Sequence, residues 1–208
     1  MRRVVVLVLL ALALPMAAWA DGINIVNRGG SIALSMAGVI STNSHLMQFQ
    51  QIKAPKGGGL GYVSFGTGAF NGTNLFASST FSDVGSFFNV TGTGGFNGVP
   101  KGPIFTGSFV GPITWTVMNT IGKGCPTKPC TYSFQLAGNL SGQLYTGNTV
   151  VGNTVQNITV FYGEWVKAGD GHIGLGHTHF VTPEPGTLAL LGTGLVGVAT
   201  VVRRKLLS

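Results

Sequence analysis

Alternation of apolar and polar residues runs through most of the chain and constrains its fold more than any other feature. The clearest case is the stretch 112–120, where Ile113, Trp115 and Val117 alternate with threonine and methionine. Successive side chains of a strand point to opposite faces, so this pattern predicts a strand with one buried face. A similar stretch at 131–137 is the predicted partner strand.

The high glycine content and the scarcity of charged residues indicate β structure for the body of the chain, the residues between its two ends. The sequence has 34 glycines, and only 8% of its residues are charged. Between the two ends, no helical periodicity lasts more than two turns. We therefore predict an all-β domain, β-sandwich-like or barrel-like, with glycine-rich loops, flanked by an N-terminal signal peptide and a C-terminal transmembrane helix.

Glycine-rich positions also predict where strands end. Gly29-Gly30 is expected to turn a hairpin between strands at 23–27 and 31–36. A strand over 104–110 is predicted to end before the one that starts at Pro112. The segment 54–61, APKGGGLG, is predicted to be a loop.

The first twenty residues have the pattern of a secretory signal. Arg2 and Arg3 precede an apolar run from Val4 to Leu14, and small residues Ala18 and Ala20 follow. This order predicts export through the Sec machinery and cleavage by signal peptidase between Ala20 and Asp21.

The last 27 residues have three parts in a fixed order. The triplet Pro183, Glu184 and Pro185 comes first, and its prolines favour an extended backbone. An uncharged apolar run over 187–202 follows, slightly shorter than the roughly 17–25 residues of a typical membrane-spanning helix. A basic cluster closes the tail and is expected to remain cytoplasmic; it consists of Arg203, Arg204 and Lys205.

This tail resembles the PEP-CTERM sorting signal of exported bacterial proteins. The resemblance implies an exosortase as partner, membrane anchoring before processing near the triplet, and final location at the cell surface or outside the cell. Such families are linked to surface attachment, biofilm and exopolysaccharide, which is a further partner that the resemblance suggests. A plain C-terminal membrane anchor is the alternative.

These signals predict three regions: a signal peptide at 1–20, an exported β-rich domain at 21–181 and the sorting signal at 182–208. Five of the twelve basic residues belong to the two ends, so the formal charge of +7 overstates that of the body. The remaining charges are scattered, which gives no nucleic-acid footprint.

Cys125 and Cys130 are the two cysteines, and they lie between the two best predicted strands. An isolated pair in an exported protein predicts a disulfide. Two residues separate the cysteines of a typical redox motif, whereas four separate these, so the bond is expected to fix the hairpin and not to do chemistry.

Histidines cluster before the tail. In a strand, His177 and His179 would share a face, and His172 or Asp170 could add a third metal ligand. The competing interpretation is a polar final strand whose histidines face water. We predict no metal and no other cofactor, and these four residues are the weak metal candidates.

Catalytic patterns are scarce. Glu164 and Asp170 are the least improbable carboxylate pair for glycoside hydrolysis, and no nucleophile elbow or phosphate loop occurs. We therefore predict that the chain is not an enzyme. The predicted function is a structural or adhesive protein of the cell surface or extracellular matrix. The alternatives are a carbohydrate- or metal-binding surface module, with Trp165 and Tyr162 as candidate surface aromatics, and a secreted hydrolase.

The predicted disulfide can be tested by thiol labelling of the mature protein. We expect no maleimide adduct by intact mass without reductant, and two adducts after reduction. The short loop it closes should limit its stabilisation to below about 3 kcal/mol. Labelling of both cysteines before reduction would contradict the bond.

Overall fold

The computed structural model describes residues 22–121, 130–162 and 170–181, and in these residues the chain is all-β, as predicted. Among the described residues, no helix is long and apolar enough to cross a membrane. The strands are β1 (Gly22–Ser35), β2 (Gly38–Phe49), β3 (Ile52–Lys53), β4 (Gly61–Gly66), β5 (Ser79–Phe81), β6 (Phe87–Thr93), β7 (Lys101–Ile121), β8 (Cys130–Leu144), β9 (Thr149–Tyr162) and β10 (Asp170–Val181).

Eight of these strands form one closed barrel. Their order is β1-β10-β9-β8-β7-β6-β4-β2, and β2 pairs back with β1 through antiparallel ladders. The short β3 adds to β2, and β5 adds to β7. Of the two predicted architectures, the barrel is therefore the one present. Closure pairs both edges of every strand on the path and removes the exposed sheet edge that invites aggregation.

One end of the barrel carries Gly22 and Val181, which lie opposite each other in the ladder between β1 and β10. We call it the terminal end. Strands alternate in direction around an antiparallel barrel, so the connections from β2 to β4 and from β6 to β7 also lie at the terminal end. The connections from β1 to β2 and from β5 to β6 lie at the other end.

The hairpin predicted around Gly29 and Gly30 is wrong. β1 continues through both residues, which have φ angles of 74° and 76°. This left-handed conformation favours glycine, and it serves a bulge as well as a turn. The register against β10 shifts on either side of Gly29, so the pair is a bulge within one strand. The turn into β2 comes at Met36 and Ala37.

The break predicted before Pro112 is also wrong, because β7 is a single strand. Its register against β8 shifts between Val110 and Thr114, which marks a second bulge. The N–H of Gly111 donates a hydrogen bond of 2.8 Å to the Asp83 carboxylate. The Asp83 side chain therefore accepts a hydrogen bond from a backbone N–H at the bulge.

The pairing predicted between 112–120 and 131–137 is confirmed. Trp115 lies opposite Leu136, and both side chains are buried. The indole N–H of Trp115 donates to the Leu75 carbonyl oxygen at 2.8 Å, and its ring stacks on Phe134 with centroids 4.3 Å apart. A buried indole needs such a partner for its N–H.

Apolar side chains from all eight barrel strands fill the interior. Phe105 stacks on Phe180 across it, with ring centroids 4.1 Å apart. The interior of an eight-stranded barrel is wide enough for side chains to fill. Here the buried apolar side chains form its hydrophobic core. Its fully buried phenylalanines are Phe49, Phe65, Phe81, Phe88, Phe105, Phe134 and Phe180.

A buried hydrogen-bond network inside the barrel connects β2, β1, β10 and β9. We call it the seam network. Asn27 donates to Ser44 Oγ at 2.8 Å and to Gln156 Oε1 at 3.0 Å. Gln156 donates to Thr154 Oγ1 at 2.8 Å, and the hydroxyls of Thr154 and Thr178 are 2.8 Å apart. Because these buried groups satisfy one another, the network carries little desolvation penalty while it is complete.

Several predicted features lie outside the described residues. These are the signal peptide with Ala18, Ala20 and Asp21, the tail from Thr182 to Ser208, Cys125, Glu164 and Trp165. Cys130 begins β8 opposite Tyr162, but the side chains of both, and that of Asp170, are outside the described part. The disulfide accordingly stays a prediction.

Gly142 tests how tightly the barrel wall packs. A Cβ there would collide with the Thr106 carbonyl oxygen and lie 2.7 Å from Phe105 Cζ. We expect Gly142→Ala to lower the free energy of unfolding by about 1–3 kcal/mol in chemical denaturation. The matched control is Gly174→Ala, whose Cβ would meet Asn157 O at an ordinary 3.6 Å and should change stability by less than about 0.5 kcal/mol. Equal effects would contradict this packing.

Asn27→Ala tests the seam network. It removes the donor to Ser44 Oγ and to Gln156 Oε1, so we expect a loss of about 1–3 kcal/mol in the free energy of unfolding. Asn24→Ala, at an exposed position of the same strand, is the control and should be near neutral. A neutral Asn27→Ala would show that the network contributes nothing to stability.

Candidate functional site

A surface cleft of about 410 Å³ lies on the outer face of β1, β2 and β4, toward the terminal end. We call it the Tyr62 cleft. Its size falls within the roughly 300–1,000 Å³ of small-molecule sites. It is lined by Arg28, Gly29, His45, Met47, Gly57, Gly58, Gly59, Gly61, Tyr62 and Thr93.

Strand register brings the three large polar residues of this cleft together. Arg28 of β1 lies opposite His45 of β2, which lies opposite Tyr62 of β4. All three are exposed, whereas their neighbours Asn27 and Ser44 are buried. Side chains of a strand alternate between faces, so burial of the seam network on the inside sets this row on the outside.

The aromatic rings of the row contact each other. The His45 and Tyr62 ring centroids are 5.5 Å apart, and the planes are inclined at 46°. Tyr62 remains 43% exposed. The cleft therefore contains an aromatic ring that contacts a neighbouring ring and is partly exposed to solvent.

The segment 54–61 was predicted to be a loop, and it is one up to residue 60, where β4 follows. This glycine-rich loop forms one wall of the cleft. Leu60 anchors it: this side chain is fully buried, its N–H donates to Leu46 O at 2.8 Å, and its carbonyl accepts from Thr93 at 2.9 Å. Gly59 lies against His45, where a Cβ would be 3.4 Å from Nδ1. The loop residues that line the cleft are Gly57, Gly58 and Gly59, and their lack of side chains keeps the cleft open.

Positive charge collects around the cleft. Of the described side chains, the basic ones are Arg28, Lys53, Lys56 and Lys101, and all are exposed. Lys56 directly precedes the wall residue Gly57, and Lys101 pairs in the ladder with Thr93, which lines the cleft. Asp83 is the acidic residue among the described side chains, and it lies in the connection at the other end of the barrel. The described surface is therefore electrically polarised toward the cleft.

His177 and His179 lie on the outer face of β10, with Thr178 buried between them. They line a groove of about 350 Å³ with the amide side chains of Asn24, Gln48 and Asn153. The His179 ring covers Gly22, where a Cβ would be 2.5 Å from Nε2. Two imidazoles without a carboxylate or thiolate are fewer ligands than a structural or catalytic zinc site uses.

The other histidine of this cluster lies apart from the pair. His172 is opposite Thr159, while His177 is opposite Val155 farther along the ladder. The His172 ring stacks on Phe161, with centroids 5.4 Å apart. Among the described residues, no three His, Cys, Asp or Glu side chains come close enough to hold a metal ion.

Sequence reasoning did not find the Tyr62 cleft as a site. Arg28 lies directly before the turn predicted at Gly29-Gly30, and neither His45 nor Tyr62 belongs to a local motif. Successive members of the row are 17 positions apart in the sequence, so no local pattern joins them. Alternation could assign each residue to the outer face, but only the strand register could bring them together.

Comparison with known proteins bears on the tail. A sequence model described as the PEP-CTERM protein-sorting motif matches residues 181–205. The chain carries a PEP-CTERM sorting motif. This match confirms the resemblance predicted from Pro183, Glu184 and Pro185, and it begins at the last residue of β10.

The PEP-CTERM motif indicates an exported protein that an exosortase handles and that is anchored in the membrane before processing. The match covers the tail and leaves the barrel unassigned. No curated protein and no solved structure matches the chain significantly.

Proposed function

We propose that this chain is a non-catalytic structural or adhesive protein of the bacterial cell surface or extracellular matrix. The observation that carries the proposal is the PEP-CTERM motif, which directly follows the last strand of a closed barrel. Processing near Pro183–Pro185 would free the barrel from its membrane anchor and leave it outside the cell.

The barrel has properties that suit a permanent extracellular body. Its sheet closes through β1, so the barrel path offers no open edge for pairing with other chains. Its interior is packed with phenylalanine and aliphatic side chains, which supports stability without a ligand. Interaction with a partner is accordingly left to the outer surface.

The described charged groups support a non-catalytic role. Asp83 accepts a backbone hydrogen bond at the β7 bulge, which is a structural task. The described basic side chains gather on the outer surface near the Tyr62 cleft and not around a carboxylate. A carbohydrate-binding surface module is the second candidate function, and the Tyr62 cleft is the observation that favours it.

Processing and location can be measured together on protein from the native host. We expect intact mass to show a C-terminus near Thr182–Pro185 in the surface or medium fraction. Cells that lack the protein should attach or aggregate less, and the wild-type chain should restore this. A chain in which Pro183, Glu184 and Pro185 are all alanine is the matched control and should stay full-length in the membrane fraction.

Two outcomes would contradict this function. Wild-type protein found only in the inner membrane with Arg203–Ser208 intact would exclude release to the surface. Unchanged attachment and aggregation in cells lacking a correctly processed protein would exclude the adhesive role.

A further inference from the structure

We propose that the Tyr62 cleft binds the carboxylate-bearing sugar residues of an anionic polysaccharide. The proposal deepens the adhesive function and rests on it for its biological setting, because it identifies the surface through which the barrel would hold a matrix polymer. Three features of the cleft support it: a partly exposed aromatic ring, an arginine two strands away on the same face of the sheet, and a preformed recess.

The aromatic face fits the apolar side of a sugar ring. Tyr62 is 43% exposed although its ring contacts His45 at 5.5 Å. An aromatic ring held this way packs against the C–H groups of a pyranose while its polar edge stays hydrated. Because contact with His45 restricts the Tyr62 side chain, less side-chain entropy is lost when a sugar packs against its exposed part.

The charges select an anionic sugar over a neutral one. Arg28 is at the end of the row, and its planar guanidinium can donate two parallel hydrogen bonds to a carboxylate. Lys56 and Lys101 flank lining residues of the cleft, so a polymer with repeated carboxylates would meet further cations beyond it. No described acidic side chain lies at this end to oppose such a ligand.

The shape favours a ring over a flat membrane surface. The glycine wall keeps a recess of about 410 Å³ beside Tyr62, and the hydrogen bonds of Leu60 hold that wall in place. A bilayer surface could contact the projecting lysines, but it would not fill this recess. Tyr62 and Arg28 both line this recess, so a sugar chain that enters it meets the aromatic ring and the guanidinium.

The test is isothermal titration calorimetry on the full-length chain in detergent. The probes are tetragalacturonate, neutral cellotetraose, the acidic polymer polyglutamate, and vesicles containing phosphatidylglycerol. We expect saturable binding of tetragalacturonate that weakens as salt is added, because exposed charges are screened. Neutral cellotetraose and polyglutamate should bind at least about tenfold more weakly, since each lacks either the charge or the sugar ring.

Three variants and a control test the residues. Tyr62→Ala and Arg28→Gln should each weaken tetragalacturonate binding about tenfold, whereas Tyr62→Phe should stay within about twofold because it retains the ring. Tyr145→Ala is the control: Tyr145 is also an exposed tyrosine at the terminal end, but it follows β8, which is diametrically opposite β2 in the strand order. Unchanged unfolding midpoints would show that all variants remain folded.

Four results would overturn the proposal: no binding of tetragalacturonate, equal binding of cellotetraose, equal binding of polyglutamate, or binding that survives both Tyr62→Ala and Arg28→Gln. Binding of the vesicles alone, with dependence on Arg28, would assign the basic end to a membrane instead. The result is separable from the proposed function. Sugar binding by a protein that stays unprocessed in the inner membrane would refute only the surface function, and correct processing without sugar binding would refute only the cleft.

Discussion

The pairing of β1 with both β2 and β10 is the constraint on which the rest of the structure depends, because it turns an open sheet into a barrel. Its backbone ladders are supported inside by the seam network, in which Asn27 bonds to Ser44 on one neighbour and to Gln156 beyond the other. Apolar packing is non-directional, and a shift of two residues in register would still bury the same face of a strand. Matched hydrogen-bond donors and acceptors tolerate such shifts poorly, so we attribute to this network a part in fixing how the barrel closes.

Closure also decides where the protein can interact. Side chains can fill the interior of an eight-stranded barrel, and here buried phenylalanine and aliphatic side chains occupy it. We therefore assign recognition of a partner to the outer face and the connections, where the Tyr62 cleft lies. The register that buries Asn27 and Ser44 exposes Arg28 and His45, the residues that follow them. One strand register therefore determines both the interior network and the composition of the Tyr62 cleft.

Local patterns in the sequence predicted what depends on local geometry. Alternation identified the paired stretches of β7 and β8, and composition identified the all-β class. Gly29 and Gly30 were misread because a positive φ serves turns and bulges alike, and the partner strands decide which one forms. The cleft was not predicted for a related reason. Arg28, His45 and Tyr62 become neighbours through pairing across three strands, and no spacing along the chain encodes that pairing.

The end of β10 connects the fold to the sorting motif. Val181 is the last residue of that strand, and it is paired with Gly22 on one side and Val151 on the other. Cleavage of the chain after it would thus remove no strand and expose no ladder edge. The described basic side chains gather toward this same terminal end. The end of the barrel that carries the Tyr62 cleft is thus also the end from which the chain continues into the sorting motif, and a cut in that motif would leave the pairing of β1, β2 and β4 unchanged.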